Sequence, residues 1–169
     1  MKRAFFVTGL LLIAASAPAS AYDISTVLDT DELVIEVPAD AKWLGVAAGQ
    51  YGFDTGTGDS HTLAIWRAVI ACETNNDDDC SEFAALEIGT GEVVAIAYCA
   101  DGLYDYYPSV GAGEDSEETR DAVVKVAEEW ISGIEDEDLE EEETTEENEE
   151  EDPSTIVSMC ESVVIKASR

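Results

Sequence analysis

The 169-residue chain carries 39 aspartates and glutamates against eight lysines and arginines, a net charge of −31. Such a field repels nucleic acid and anionic lipid, which excludes both as partners, and favours a protein or other ligand that is cationic. No cofactor signature accompanies it, and the acids are spread over the whole length, as solubility in salty surroundings requires, where screening over roughly 8 Å or less removes self-repulsion.

The N-terminus reads as a leader. Lys2 and Arg3 precede an apolar run over 4–15, and Ala19-Ser20-Ala21 has the small-x-small form that signal peptidase cuts. The expectation is a signal peptide over 1–21 and a mature chain from Tyr22. The apolar run is too short to anchor in a bilayer, and no later segment is longer, so no membrane insertion is expected and the address is periplasmic or secreted. What remains, 22–169, is a single domain's worth of chain with six basic residues against 39 acidic, −33. Its four cysteines are an even set, which in an exported chain predicts two disulfides. Zinc is not expected, because C-x-x-C is absent and His61, the one histidine, has no nearby ligand in sequence.

In chain order, 22–30 reads as a lead-in and 33–37 as a strand stopped by Pro38. Trp43 opens a second strand, 43–48. Gly49-Gln50 turns it into a hairpin partner at 51–54, and Thr55 to Gly58 is a flexible loop. Asp59 or Ser60 caps a first helix in which Leu63, Trp66, Val69 and Ile70 form the apolar face, ending near Cys72. A loop over 74–79 returns the chain to strands at 83–88 and 92–99, the latter apolar on both faces and so central in its sheet. The order then repeats. A hairpin partner at 103–107 is stopped by Pro108, and Ser116 caps a second helix with Val123, Val126, Ala127, Trp130 and Ile131 on one face. Gly133 is a plausible stop. A closing strand covers 156–165. Between helix and strand, 14 of the 18 residues at 135–152 are acidic, and this insert is expected to be disordered.

These elements predict an α+β fold of two β-β-α-β repeats, about 31–90 and 91–166. They form one antiparallel sheet with both helices on one face, burying Trp66 and Trp130. Cys72 and Cys80 close a short loop from helix end to strand start, which pairs them and leaves Cys99 for Cys160.

Ser60, Ala64, Ala68 and Cys72 lie at four-residue spacing, preceded by Trp43-Leu44-Gly45-Val46-Ala47 and followed by Cys80. Over most of 43–165 this resembles a family of small exported bacterial domains of unknown function. Its members repeat a unit W-x-x-I-A, a Gly/aromatic strand, S-x-x-x-A-x-x-x-A-x-x-x-C, then C and a closing strand. The second unit here departs from that pattern, with Glu128 where the helix-end cysteine would fall. The resemblance implies a fold and an exported address, and no activity.

Four groups of residues suggest chemistry. Asp54-Thr55-Gly56 has the D-T-G form of aspartic proteases, in which two copies share a proton between coupled carboxylates; with one copy per chain, such an enzyme would be a homodimer using Asp54. Gly58-Asp59-Ser60 resembles a serine-esterase block, but adjacent helical residues such as Ser60 and His61 do not face each other, and capping accounts for the serine. Asn75 to Asp79 lacks the glycine and oxygen spacing of a shaped calcium loop, leaving weak Ca²⁺ association and no metal site. Tyr98, Tyr104, Tyr106 and Tyr107 cluster on the second hairpin and are the expected contact surface. The reading is therefore an exported non-catalytic domain, a binding or cell-envelope accessory protein. The alternatives are the Asp54 aspartic-protease-like homodimer and a low-affinity, divalent-cation-attracting acidic protein.

Overall fold

The computed structural model describes residues 22–76, 79–100, 106–138 and 159–169, with the side chains of 27–29 and 133–138 outside the description. The leader, Tyr104, Asp77 and Asp78, and 139–158 therefore lie outside the described residues. Among the described residues eleven elements follow one another: β1 Tyr22–Asp23, α1 Ile24–Asp29, β2 Glu32–Glu36, β3 Trp43–Gly49, β4 Gly52–Gly58, α2 His61–Asn76, β5 Glu82–Glu87, β6 Val93–Ala100, β7 Tyr106–Gly113, α3 Ser116–Asp138 and β8 Met159–Ser168.

The class is α+β, as the sequence pattern predicts, but the strands form two sheets of four rather than one. The orders are β1-β4-β3-β5 and β2-β8-β6-β7. The reason lies in the central strands. Along β3, Leu44, Val46 and Ala48 alternate with Gly45 and Ala47, and all are buried. Along β6, Val94, Ile96 and Tyr98 alternate with Val93, Ala95, Ala97 and Cys99, again all buried. Strands apolar on both faces need a layer on each side, which a single sheet covered on one face cannot supply. The first set from each strand meets in one shared cluster with Phe53, Leu86, Val163 and Ile165, so the sheets pack face to face. The second set faces outward. Ala47 meets Ala68 and Cys72 of α2, while Ala95, Ala97 and Cys99 meet Val123, Ala127 and Ile131 of α3. The helices thus cover opposite outer faces of a four-layer sandwich, not one face of one sheet.

Both sheets are wired alike. A hairpin (β3-β4, β6-β7) leads into a helix, and the next strand (β5, β8) returns to the free side of the hairpin's first strand. The lead-in over 22–30 holds a short strand and a short helix. β1 pairs with β4, Tyr22 stacks on Phe53 at 4.7 Å, and β2 pairs with β8 in parallel, the one departure from antiparallel pairing among the described residues.

Several expected boundaries move, each for a local reason. Thr55 to Gly58 is the second half of β4, because its glycines are needed under α2. Pro108 lies inside β7, an edge strand, where a missing N–H is tolerated when it faces away from the neighbouring strand. Asp115, not Ser116, caps α3, its Oδ1 accepting from the amides of Glu117 and Glu118 at 2.9 and 3.0 Å. That helix passes Gly133 and runs to Asp138, four residues into the acidic run. Like-charge pairs cost only a few tenths of a kcal/mol each, which a helix already nucleated and docked can absorb. The remainder of the run, 139–152, lies outside the described residues.

The largest correction concerns the tryptophans. Trp66 is 59% and Trp130 64% exposed. In α2 the buried residues are Ala64, Ala68 and Cys72, because the helix backbone rests directly on strand glycines. A Cβ on Gly45 would stand 2.4 Å from the Ala64 carbonyl oxygen, and one on Gly56 2.4 Å from the Ala68 nitrogen. Small residues on both sides bring helix and sheet together, and the larger Trp66 and Ile70 are left on the outside.

Cys72 is bonded to Cys80 and Cys99 to Cys160. The first bond ties the end of α2 to the approach to β5. The second crosses directly between paired residues of β6 and β8. Counting from the caps Ser60 and Asp115, Ala127 occupies the place that Cys72 holds in α2, so α3 offers no sulfur to its returning strand and the central strand does so instead.

Two outcomes follow from this packing. Gly56→Ala should lower unfolding stability by about 2–3 kcal/mol or more in urea titrations, since backbone must move. Gly111→Ala, whose Cβ would meet only the Val123 side chain at 2.8 Å, should cost about half that. Removing Cys99–Cys160, which spans 61 residues, should cost about 4 kcal/mol against about 2.5 for Cys72–Cys80, which spans eight, as read from thermal unfolding of the paired alanine variants.

Candidate functional site

Alternation along β4 sends Phe53 into the core between the sheets and Asp54 to the outer face, under the last turn of α2. There the helix ends in Asn75 and Asn76. Asn75 Nδ2 donates to both carboxyl oxygens of Asp54 at 3.2 Å, and Asn76 Nδ2 approaches Oδ2 at 3.5 Å and donates to the Cys72 carbonyl at 3.1 Å. Asp54 is wholly buried. Burial raises its pKa from 3.8 to about 6, and the Asn75 hydrogen bond opposes that rise. Asp54, Thr55 and Gly56 lie mid-strand rather than at a turn, and α2 lies across them. The carboxyl is closed off beneath a helix end.

The other sequence candidates separate. Ser60 Oγ accepts from the Leu63 amide at 3.4 Å and its carbonyl accepts from Ala64 N, the position of a helix cap. His61 sets its ring edge-on to Trp43, centroids 5.2 Å apart. The amide nitrogens of Asn75 and Asn76 face Asp54, and among the described residues no three acidic, histidine or cysteine side chains converge as a metal would need.

The tyrosine cluster divides across the sheet. Tyr98 is buried between the sheets and its hydroxyl donates to the Gly49 carbonyl at 3.0 Å, joining β6 to the end of β3. It is therefore a core residue and not part of a contact surface. Tyr106 packs against the inner core, while Tyr107 faces outward and stacks with Trp130, centroids 6.3 Å apart. Tyr104 lies outside the described residues. Besides Val34, Tyr51, Phe83 and Met159, the exposed large apolar groups include four that helical spacing assigns to a buried face: Trp66 and Ile70 on α2, Val126 and Trp130 on α3. The signal was present in Ala64, Ala68 and Cys72, whose four-residue spacing marks the buried stripe and turns Trp66 away from it.

The Asp54 environment has a measurable consequence. Its folded pKa lies above the unfolded value, so the group favours the fold below about pH 4 and that advantage is lost as pH rises through about 6. Asp54→Asn does not titrate there. Urea unfolding at pH 4 and pH 7.5 should show the variant gaining on the parent by up to about 3 kcal/mol at the higher pH.

The chain matches no protein-family model, no curated protein and no solved structure.

Proposed function

We propose that this chain is exported, loses residues 1–21, and works as a non-catalytic binding domain or cell-envelope accessory protein of the small exported family its Trp43–Cys80 pattern resembles. The observation that carries the reading is the exposure of Trp66 and Trp130 beside Ile70 and Val126. Large apolar side chains held outside on rigid helices are the usual anchors of binding surfaces. Two disulfides suit an oxidising compartment. The shared hairpin–helix–strand wiring supports a duplicated unit. Its acidity gives it a preference for cationic partners, with weak divalent-cation attraction as a by-product.

A second reading, the aspartic-protease-like homodimer, draws on the burial of the D-T-G carboxyl of Asp54, which raises its pKa to about 6. That reading needs α2 to uncover the carboxyl.

Cell fractionation of the full-length protein separates these. The expected result is a chain beginning at Tyr22, found outside the cytoplasm and partly held at the envelope. Trp66→Ala or Trp130→Ala should reduce the held fraction by about fivefold without lowering the unfolding midpoint. Precursor-length protein in the cytoplasm would overturn export. Peptide hydrolysis at pH 4–6 that vanishes in Asp54→Asn would replace the binding reading with the enzymatic one.

A further inference from the structure

We propose that the outward face of α2, with Phe83 of β5 beside it, is a docking site for an amphipathic helix of a partner protein that carries lysine or arginine at both ends of its apolar stripe. The proposal rests on the binding role above and supplies its place and ligand class.

Helix α2 is apolar on two sides. Ala64, Ala68 and Cys72 are buried where it lies on β3 and β4. Trp66 stands midway between Ala64 and Ala68 in sequence, which at 3.6 residues per turn puts it on the opposite side of the helix. Ile70 follows one turn later, and the two are 59% and 42% exposed. A helix apolar all round is ordinarily covered all round. The other long helix shows what a solvated face looks like in this chain. On α3, Asp121, Lys125, Glu128 and Glu129 are exposed around Val126 and Trp130. In α2 the one acid among sixteen residues is Glu73. In a protein with 39 acidic residues, such a face stands out as one that charge does not keep in water.

The strand beside the helix continues the face. Phe83 pairs with Ala47, and directly paired residues share one side of a sheet. Ala47 meets Ala68 and Cys72, so Phe83 is set on the same outer side, where it is half exposed. Val69 packs against the same cluster, on the flank that leads through Cys80 to β5.

The form of the occupant follows from what the face offers. The backbone groups of α2 are engaged within the helix, and the free side of β5 is approached by β7, so neither offers pairing to an added strand. Contact is through side chains. That suits a helix, whose own backbone is satisfied, laid along α2 with its apolar stripe on Trp66, Ile70 and Phe83.

Charge selects which helix. Glu87 pairs with Trp43, whose ring meets His61, and so stands near the first turn of α2, while Glu73 stands in its last turn. Both are exposed. Roughly 18 Å of helix rise, about twelve residues, separates the two levels. The one lysine or arginine within α2 and β5 is Arg67, which is turned to β4 and donates to the Thr57 carbonyl at 2.7 Å. The complement is a helix with an apolar middle and basic ends. A second copy is a poor complement. Its α2 follows the exposed Asp59 and ends after Glu73, so in either direction acid would meet Glu73 and Glu87.

The test titrates the full-length, disulfide-bonded protein with a helical peptide about eighteen residues long, with leucines along one side and a lysine pair at each end, followed by NMR. Expected are saturable binding that weakens with salt and a shifted Trp66 indole signal with that of Trp130 unmoved. Trp66→Ala should weaken binding about tenfold. Glu73→Lys with Glu87→Lys should weaken it about fivefold and let a glutamate-ended peptide bind in its place. These positions are exposed, and an unchanged unfolding midpoint shows that each variant folds. Should the double variant not fold, Trp66→Ala and the glutamate-ended peptide on the parent decide. Equal binding of that peptide to the parent would overturn the charge argument. Equal binding of a peptide with a central proline would overturn the helical occupant. Self-association that Trp66→Ala abolishes, or peptide binding only after 1–21 or 139–158 are deleted, would overturn the choice of occupant. Binding mapped to Val126 and Trp130 would sink the α2 proposal and leave the binding role standing. No binding of the lysine-ended peptide at millimolar concentration would sink the α2 proposal as well.

Discussion

The contact on which the architecture depends is that of α2 with the glycines of β3 and β4. Gly45 and Gly56 let the helix backbone come within van der Waals reach of the strand backbone. At that distance only alanine- or cysteine-sized side chains fit between, and Ala64, Ala68 and Cys72 supply them. Little apolar area is buried per residue there, so the layer is held more by close dispersion contact than by bulky side chains. The large residues of the first sheet, Leu44, Val46, Phe53 and Leu86, are correspondingly committed to the other face, where they meet the second sheet. One choice of residue size thus divides the molecule into a thin outer seam and a thick central core.

The second sheet solves the same problem with different side chains. Thr119, Val123, Ala127 and Ile131 carry the buried stripe of α3, larger on average than that of α2. Gly111 and Gly113 in β7 still admit Val123 and Thr119 closely. Tyr98 then spans the central layer and ties one sheet to the other through a backbone carbonyl. Its hydroxyl is satisfied inside the core, which lets an aromatic ring with a polar tip occupy a fully buried site. Outside these layers, the described ion pairs are exposed or partly so, and with so few cations the surface draws little stability from them.

Much of the fold was legible. The apolar character of β6 on both faces marked it as central, and the order of strands and helices along each half was visible in turn residues and caps. What could not be read was where the second apolar face would go. A strand buried on both sides is compatible with helices on two faces or with a helix and another sheet, and nothing local in Val93 to Cys99 distinguishes them. Apolar spacing along the helices misplaces the tryptophans; for Trp66 the reason is that glycines on the strands under α2, distant in sequence, admit only small side chains. The Asp54 environment was half legible. D-T-G drew attention to the carboxyl, but Asn75 and Asn76 come to it through tertiary packing over a separation of 21 and 22 residues.

The position of β8 has a consequence for the order in which the chain can fold. The hairpin β3-β4, helix α2 and strand β5 are contiguous in sequence, so the first sheet can assemble from nearby pieces as they emerge. The second sheet cannot, because β8 lies between β2 and β6 and is the last of the described strands to appear. Until it arrives, β2 has no partner strand and β6 has one open side. Pairs such as Leu33 with Ile165 close a very long loop, a step that slows folding. Assembly is therefore directional, with the first sheet serving as a finished surface on which the second completes itself once β8 is available.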